Sequence, residues 1–216
     1  MRAINFIIGF ILLTLTTLVT SSLATIGEVS ITSGSAVIDR QDGDKGITVE
    51  KELDIFSYDT VKTGNGKVGI AFIDETRVDV TEHSKLVIDE FVYDPNTKTG
   101  SLSLKATLGT VRYASGQIAK NSKQNVKIST PTATIAVRGT DFAMTVNEIG
   151  GSTIVLLPSC DSNGNCYVGE IEVQTDAGFV IMNQAFQATI VDTVESKPLK
   201  PVLLDLDLDM INNLLI

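Results

Sequence analysis

The residues able to do chemistry in this chain are few: His83, Cys160 and Cys166, two adjacent carboxylate pairs, and Arg138. A single histidine nearly excludes Ser-His-Asp and Cys-His nucleophilic catalysis, because both need an imidazole held against the nucleophile. His83 lies in VTEHSKL, a polar turn between two strand-like runs, where an exposed and idle imidazole is expected. Asp74-Glu75 and Asp89-Glu90 hold enough carboxylate for acid–base work. Neighbours on a strand point to opposite faces, however, so neither pair is expected to converge on a substrate. No phosphate-cradling glycine loop, dinucleotide fingerprint or nucleophile elbow occurs. The sequence therefore reads as a protein that is not an enzyme, and no cofactor or metal is expected.

The cysteines stand in LPSCDSNGNCYVG. In an exported chain, two cysteines flanking Asn163-Gly164 predict a short-range disulfide that closes a hairpin. Metal ligation is a poor rival, since His83 is the sole imidazole to complete a thiolate pair. Redox exchange is disfavoured because the spacing is not Cys-x-x-Cys. Asp161, Asn163, Asn165 and Glu172 match four positions of a calcium-loop count, but the sixth is Cys166 where glycine is needed and no helices flank the loop.

The elements that must position these residues are short and β-rich. Of 216 residues 43% are hydrophobic and 20% charged, which suits one globular domain with a tail. Residues 1–24 read as a signal peptide: Arg2, an apolar run from Phe6 to Val19, and Ser22-Leu23-Ala24 before the cut. The rival is an uncleaved anchor, because the uncharged span from Ala3 to Gly27 is long enough for a bilayer of about 30 Å. Cleavage removes Arg2 alone, so the exported chain is one unit more negative than the full chain's formal −9. Such an acidic surface repels phosphate backbones and anionic lipid, so nucleic acid is excluded as a partner, and the membrane matters during export or through an uncleaved anchor.

From Thr25 to about residue 194, runs such as KVGIAFI, KLVIDEFVY, SLSLKATLGTVRY and FAMTV alternate and are bounded by Gly, Asn, Asp, Ser or Pro. None shows a sustained helical period; Glu50 to Ile55 has room for one helical turn. The fold class is all-β: an irregular β-solenoid-like or sandwich-like stack of short, sharply bent strands. Residues 195–216 read as a linker and an amphipathic tail. There Leu204, Leu206, Leu208 and Met210 share one face at strand period, although a helical stripe also fits. The tail either caps the domain's own edge or docks on a partner.

One segment, TPTATIAVRGTDF, is similar to the hallmark of the FecR domain family, TP-x-A-x-x-x-V-R-G-T-x-F. The matching residues are Thr130, Pro131, Ala133, Val137, Arg138, Gly139, Thr140 and Phe142. Upstream, DTVKTG, FIDETRVDV, SKLVI and LGTVRYASG resemble the family's other ordered motifs, so the resemblance runs over residues 26–147 and loosely beyond. Glu75 departs from it, standing where the family often has the Gly of a D-G-T turn.

The resemblance implies a compact β domain outside the cytoplasm. At its corner Thr130-Pro131 is expected to begin a strand, Gly139 to take a glycine-only angle, and Arg138 to pair with carbonyls or a carboxylate. The alternative is that Arg138 holds an anionic ligand. The family's founding type adds a cytoplasmic helical segment that handles a sigma factor. The two dozen residues before the β region here read as export signal instead.

The expectation is an exported scaffold, in the periplasm or at the cell surface, that contacts an envelope protein or senses. Alternatives are a module for envelope glycan, with Phe91, Tyr93 and Tyr113 as candidate aromatics, or a signalling subunit paired with a separate transmembrane partner.

Overall fold

The structure is a computed structural model and describes residues 24–122, 124–161 and 163–205. Residues 1–23 of the expected signal peptide and three of the tail positions, Leu206, Leu208 and Met210, lie outside the described residues.

Alternating apolar residues build strands, most of which bury one face. In chain order these begin with β1 (Gly27–Ser33), β2 (Ala36–Asp39), β3 (Ile47–Thr48), β4 (Asp54–Ile55) and β5 (Thr60–Thr63). Next come β6 (Lys67–Phe72), β7 (Arg77–Val80), β8 (Lys85–Asp94) and the long β9 (Thr99–Ala114). A short α1 (Gln117–Asn121) precedes β10 (Val126–Ser129), β11 (Thr134–Arg138), β12 (Asp141–Val146) and β13 (Ser152–Leu157). The chain continues with β14 (Ser159–Cys160), β15 (Cys166–Tyr167), β16 (Glu170–Thr175), β17 (Gly178–Met182), β18 (Gln187–Val191) and β19 (Val202–Leu203).

Two sheets face each other across one core. The first runs β4-β1-β6-β7-β9-β12-β13-β18-β19. The second runs β3-β2-β5-β8-β9-β10-β11-β16-β17. Successive hairpins cross from one sheet to the other, so the fold combines sandwich and solenoid character. Val61, Leu86, Ile88, Leu104, Val111, Ile128, Ile135, Phe142 and Ile171, all inward members of their strands, are buried in the shared core.

β9 belongs to both sheets. Thr99–Leu108 pairs with β8 in the second sheet, and Val111–Ala114 pairs with β7 in the first. Gly109 makes the crossing at φ +78°, and a Cβ there would lie 2.6 Å from Cα of Ser84. Both its angle and its crowding therefore require glycine. β8 has its own irregularity, a bulge between Ile88 and Glu90. It keeps Ile88 and Phe91 inward, leaving both Asp89 and Glu90 between them on the outer side. The expectation that this carboxylate pair points to opposite faces is thereby corrected.

The five-residue α1 is too short to show a helical period. Its first turn is fixed from a distance: the Asp74 carboxylate accepts Ile118 N–H at 3.2 Å, and the Asp74 carbonyl accepts Gln117 N–H at 2.7 Å. Glu50 to Ile55, with room for a helical turn, forms instead a bend with Glu52 at φ +68° that leads into β4.

Candidate functional site

Thr130 to Phe142 is where the sequence concentrates its motif, and the structure makes it a turn, a strand and a corner. Thr130-Pro131-Thr132-Ala133 closes the β10–β11 hairpin, with Thr130 N–H donating to Ala133 O at 2.9 Å. Thr130 Oγ1 accepts Ala133 N–H at 3.0 Å, and Ser152 Oγ donates to it at 2.7 Å. The segment therefore turns before it extends. Proline pre-sets the backbone angle at the second turn position and the threonine hydroxyl mimics a backbone acceptor, so Thr130-Pro131 ends one strand and does not begin the next. Ala133 and Val137 face the core.

Arg138 lies on the outer face of the second sheet. Its register partner across β11–β16 is Glu170, and Ala136 stands opposite Glu172. The guanidinium pairs with Glu170, while its Nη2 stands 3.7 Å from Glu172 Oε2. Arg138 and Glu170, with Gln124, Val168, Gly169 and Asn183, line a concavity of about 620 Å³. The charge there is already opposed by two carboxylates, which leaves little field for an added anion.

Gly139 then turns the chain at φ +69°. Thr140 is fully buried, donating from Oγ1 to Leu157 O at 3.2 Å and from N–H to Ser115 Oγ at 3.0 Å. Phe142 packs its ring 5.4 Å from that of Tyr113. Asp141, beside them, accepts Ser159 Oγ at 2.7 Å and Ser115 N–H at 3.2 Å. Burial raises its carboxyl above the ordinary carboxylate value, with those two donors opposing the shift.

The other motif residues are also corner fasteners. Asp59 opens DTVKTG; its Oδ2 accepts Phe56 N–H at 3.0 Å, and its burial pushes the carboxyl up. Asp74 is buried and accepts the Thr76 N–H and hydroxyl at 3.0 and 2.9 Å. Glu75 beside it has φ +70°, the left-handed angle that the family's glycine would supply, so the departure in residue type keeps the turn geometry.

The remaining chemical candidates do not gather. His83 is exposed in a turn at φ +50°. Asp89 is engaged by Lys105 Nζ at 2.8 Å and by Ser103 Oγ at 3.2 Å. Cys160 and Cys166 are disulfide-bonded and face each other across β14–β15. Asp161 spends its carboxylate on Asn163 and Asn165 N–H groups at 2.9 Å each, as an Asx turn does, while Glu172 sits by Arg138. Phe91 stacks on Phe72 at 5.4 Å, Tyr93 leans on Phe91, and Tyr113 is fully buried.

Exposed apolar side chains that the sequence did not mark lie on the last strands of both sheets. Phe179 and Ile181 are exposed on β17, the last strand of the second sheet. Ile190, Leu199, Val202 and Leu203 are exposed along the last strands of the first. The expected linker is tied down here: Leu199 N–H donates to Ile190 O at 3.0 Å, and Val202 pairs with Ala188. Leu204, the one described residue of the tail stripe, donates its N–H to Phe186 O at 3.0 Å. No helix among the described residues is long and apolar enough to cross a membrane.

Residues 59–158 match the family described as FecR protein, starting at Asp59 of DTVKTG and ending before the disulfide hairpin. No curated protein is significantly similar to the chain. Two crystal structures, at 1.65 and 2.50 Å, of "a putative anti-sigma factor" from Parabacteroides distasonis ATCC 8503 are each similar at 12% identity and TM-score 0.48. Each alignment covers 67% of this chain and 60% of the other, so the chain spans less than two thirds of that protein's length. From the ordered motifs and the family match together, this chain contains a FecR domain, residues 59–158.

Proposed function

We propose that this chain is an exported, non-enzymatic scaffold that works in the cell envelope by contacting a protein, as a structural or sensory element. The observation that carries the reading is that Ile190, Leu199, Val202 and Leu203 leave apolar side chains in solvent along the last strands of the first sheet. The FecR domain, the export-type N-terminal sequence and the engagement of the motif residues in corner contacts agree with it. The glycan alternative is weaker, because Phe91, Tyr93 and Tyr113 pack in or against the core and form no stacking platform.

The test is crosslinking in intact cells followed by identification of the captured protein. It compares the wild type with a Leu199→Asp, Val202→Asp variant and with a chain lacking residues 202–216. One defined envelope protein captured by the wild type and lost from the altered chains supports the proposal. Capture that ignores these changes, or a chain retained in the cytoplasmic fraction, overturns it.

A further inference from the structure

The hairpin closed by Cys160 and Cys166 stands apart from the body it grows from. β14 and β15 form a two-stranded sheet of their own and pair with neither large sheet. Each is two residues long, and a hairpin that short is marginal in water without a staple. The bonds of the Asp161 carboxylate with Asn163 and Asn165 stay inside the hairpin, so they shape its turn without tying it down. A Cβ on Gly164 would meet nothing within 4 Å, so the turn projects into solvent. Ser159 supplies the tie to the body, through its bond to Asp141. The FecR domain, residues 59–158, ends before β14 begins, so the hairpin lies outside it.

What the hairpin lies against is charged. Pro158 and Cys160 join Arg77, Asp79, Arg112 and Asp141 in lining a cleft of about 340 Å³ on the outer face of the first sheet. Both cysteines are exposed, so the thiolate of a dithiol can reach either sulfur, and exposed disulfides are the labile ones. We propose that the Cys160–Cys166 bond is a redox latch: closed, it pins the hairpin against this cleft, and broken, it releases the hairpin while the sandwich stays folded. The proposal goes beyond the scaffold reading and does not depend on it.

The co-reactant is a dithiol. One of its thiolates attacks a sulfur of the bond to give a mixed disulfide, and its second thiolate then displaces the protein sulfur. The dithiol leaves as a disulfide, and Cys160 and Cys166 each gain one electron and one proton. The spacing that disfavours a Cys-x-x-Cys catalyst does not bear on this role, because the bond here is acted upon. With two paired residues per strand and one side-chain bond left to hold it, the hairpin opens by itself, as a local unit of low stability.

The experiment is amide hydrogen exchange on the purified protein before and after treatment with dithiothreitol, with alkylation and intact mass reporting the thiols formed. The Asp161 and Gly164 amides are hydrogen-bonded inside the hairpin at 3.0 Å each. They are expected to exchange about tenfold faster or more once the bond is reduced, while Met144 and Val173 in the two sheets keep their rates. Carbodiimide labelling of Asp141 is expected to rise about fivefold relative to the exposed Asp42, because the cleft opens with the hairpin. A Cys160→Ser, Cys166→Ser variant is expected to match the reduced protein without any reductant. A bond that dithiothreitol leaves intact overturns the proposal, and so do hairpin amides or Asp141 labelling unmoved by reduction. Faster exchange at Met144 and Val173 would make the bond a support of the whole fold and overturns it equally. None of these results bears on capture of an envelope protein through Leu199 and Val202, so the two readings fail separately.

Discussion

The hairpin between β6 and β7 and the corner between β11 and β12 use nearly the same backbone angle, yet one places Glu75 there and the other Gly139. Their φ values are +70° and +69°. The surroundings do not explain the difference by crowding, since a Cβ on Gly139 would meet only Ala119 O, at 3.9 Å. At Glu75 the side chain gains a partner, accepting Gln117 Nε2–H at 2.8 Å. The left-handed angle by itself costs a non-glycine residue about 1–2 kcal/mol, which a fold can absorb. Glycine becomes obligatory where angle and contact coincide, and Gly109 is that case: its Cβ would fall 2.1 Å from Ser84 Oγ.

This ranking can be broken at each level. Gly109→Ala is expected to cost the most, about 3–4 kcal/mol in urea unfolding, because the angle and the overlap with Ser84 add. A loss below about 1 kcal/mol would show that β9 can cross between sheets without that close approach. Gly139→Ala is expected to cost about 1 kcal/mol, and Gly139→Asn less, since asparagine tolerates the angle. A loss at position 139 equal to that at 109 would erase the distinction. Glu75→Gly is expected to raise stability by about 0.5–1 kcal/mol, the relieved angle outweighing the looser unfolded chain and the lost Gln117 bond.

Arg138→Ala is expected to cost less than about 1 kcal/mol, and still less in high salt, because the ion pairs are half-exposed. A larger, salt-independent cost would make the guanidinium the true fastener of the corner. The smallest effect is a trend with pH at Asp141. Its folded value is raised above 3.8, so the stability it contributes is complete below 3.8 and declines as pH rises through the raised value. Asp141→Asn lacks that decline. Its stability relative to wild type should therefore grow with rising pH and then level off, and thermal melts across the acid range that show a shrinking difference would refute the assignment.

The fold was legible where alternation is strict. Strands such as Lys67–Phe72 and Phe142–Val146 announce an inward face, and Gly139 announces its angle. Legibility failed where the partner is remote. Nothing near Arg138 points to Glu170, 32 residues on, because cross-strand pairing is set by hairpin topology. Asp74 reaches 44 residues to start α1, a helix too short to carry a period. The bulge in β8 turned Asp89 and Glu90 to one side, which a two-residue period hides. The exposure of Phe179 and Ile181 is hidden for a similar reason: GFVIM looks like any core strand until its place at the end of the second sheet is known.

The shared strand β9 has a mechanical consequence. Its two halves are laddered to β7 and β12 in one sheet and to β8 and β10 in the other, so the layers cannot shear past one another without breaking both ladders. A force that would slide one layer over the other is therefore opposed by covalent backbone as well as by side-chain packing.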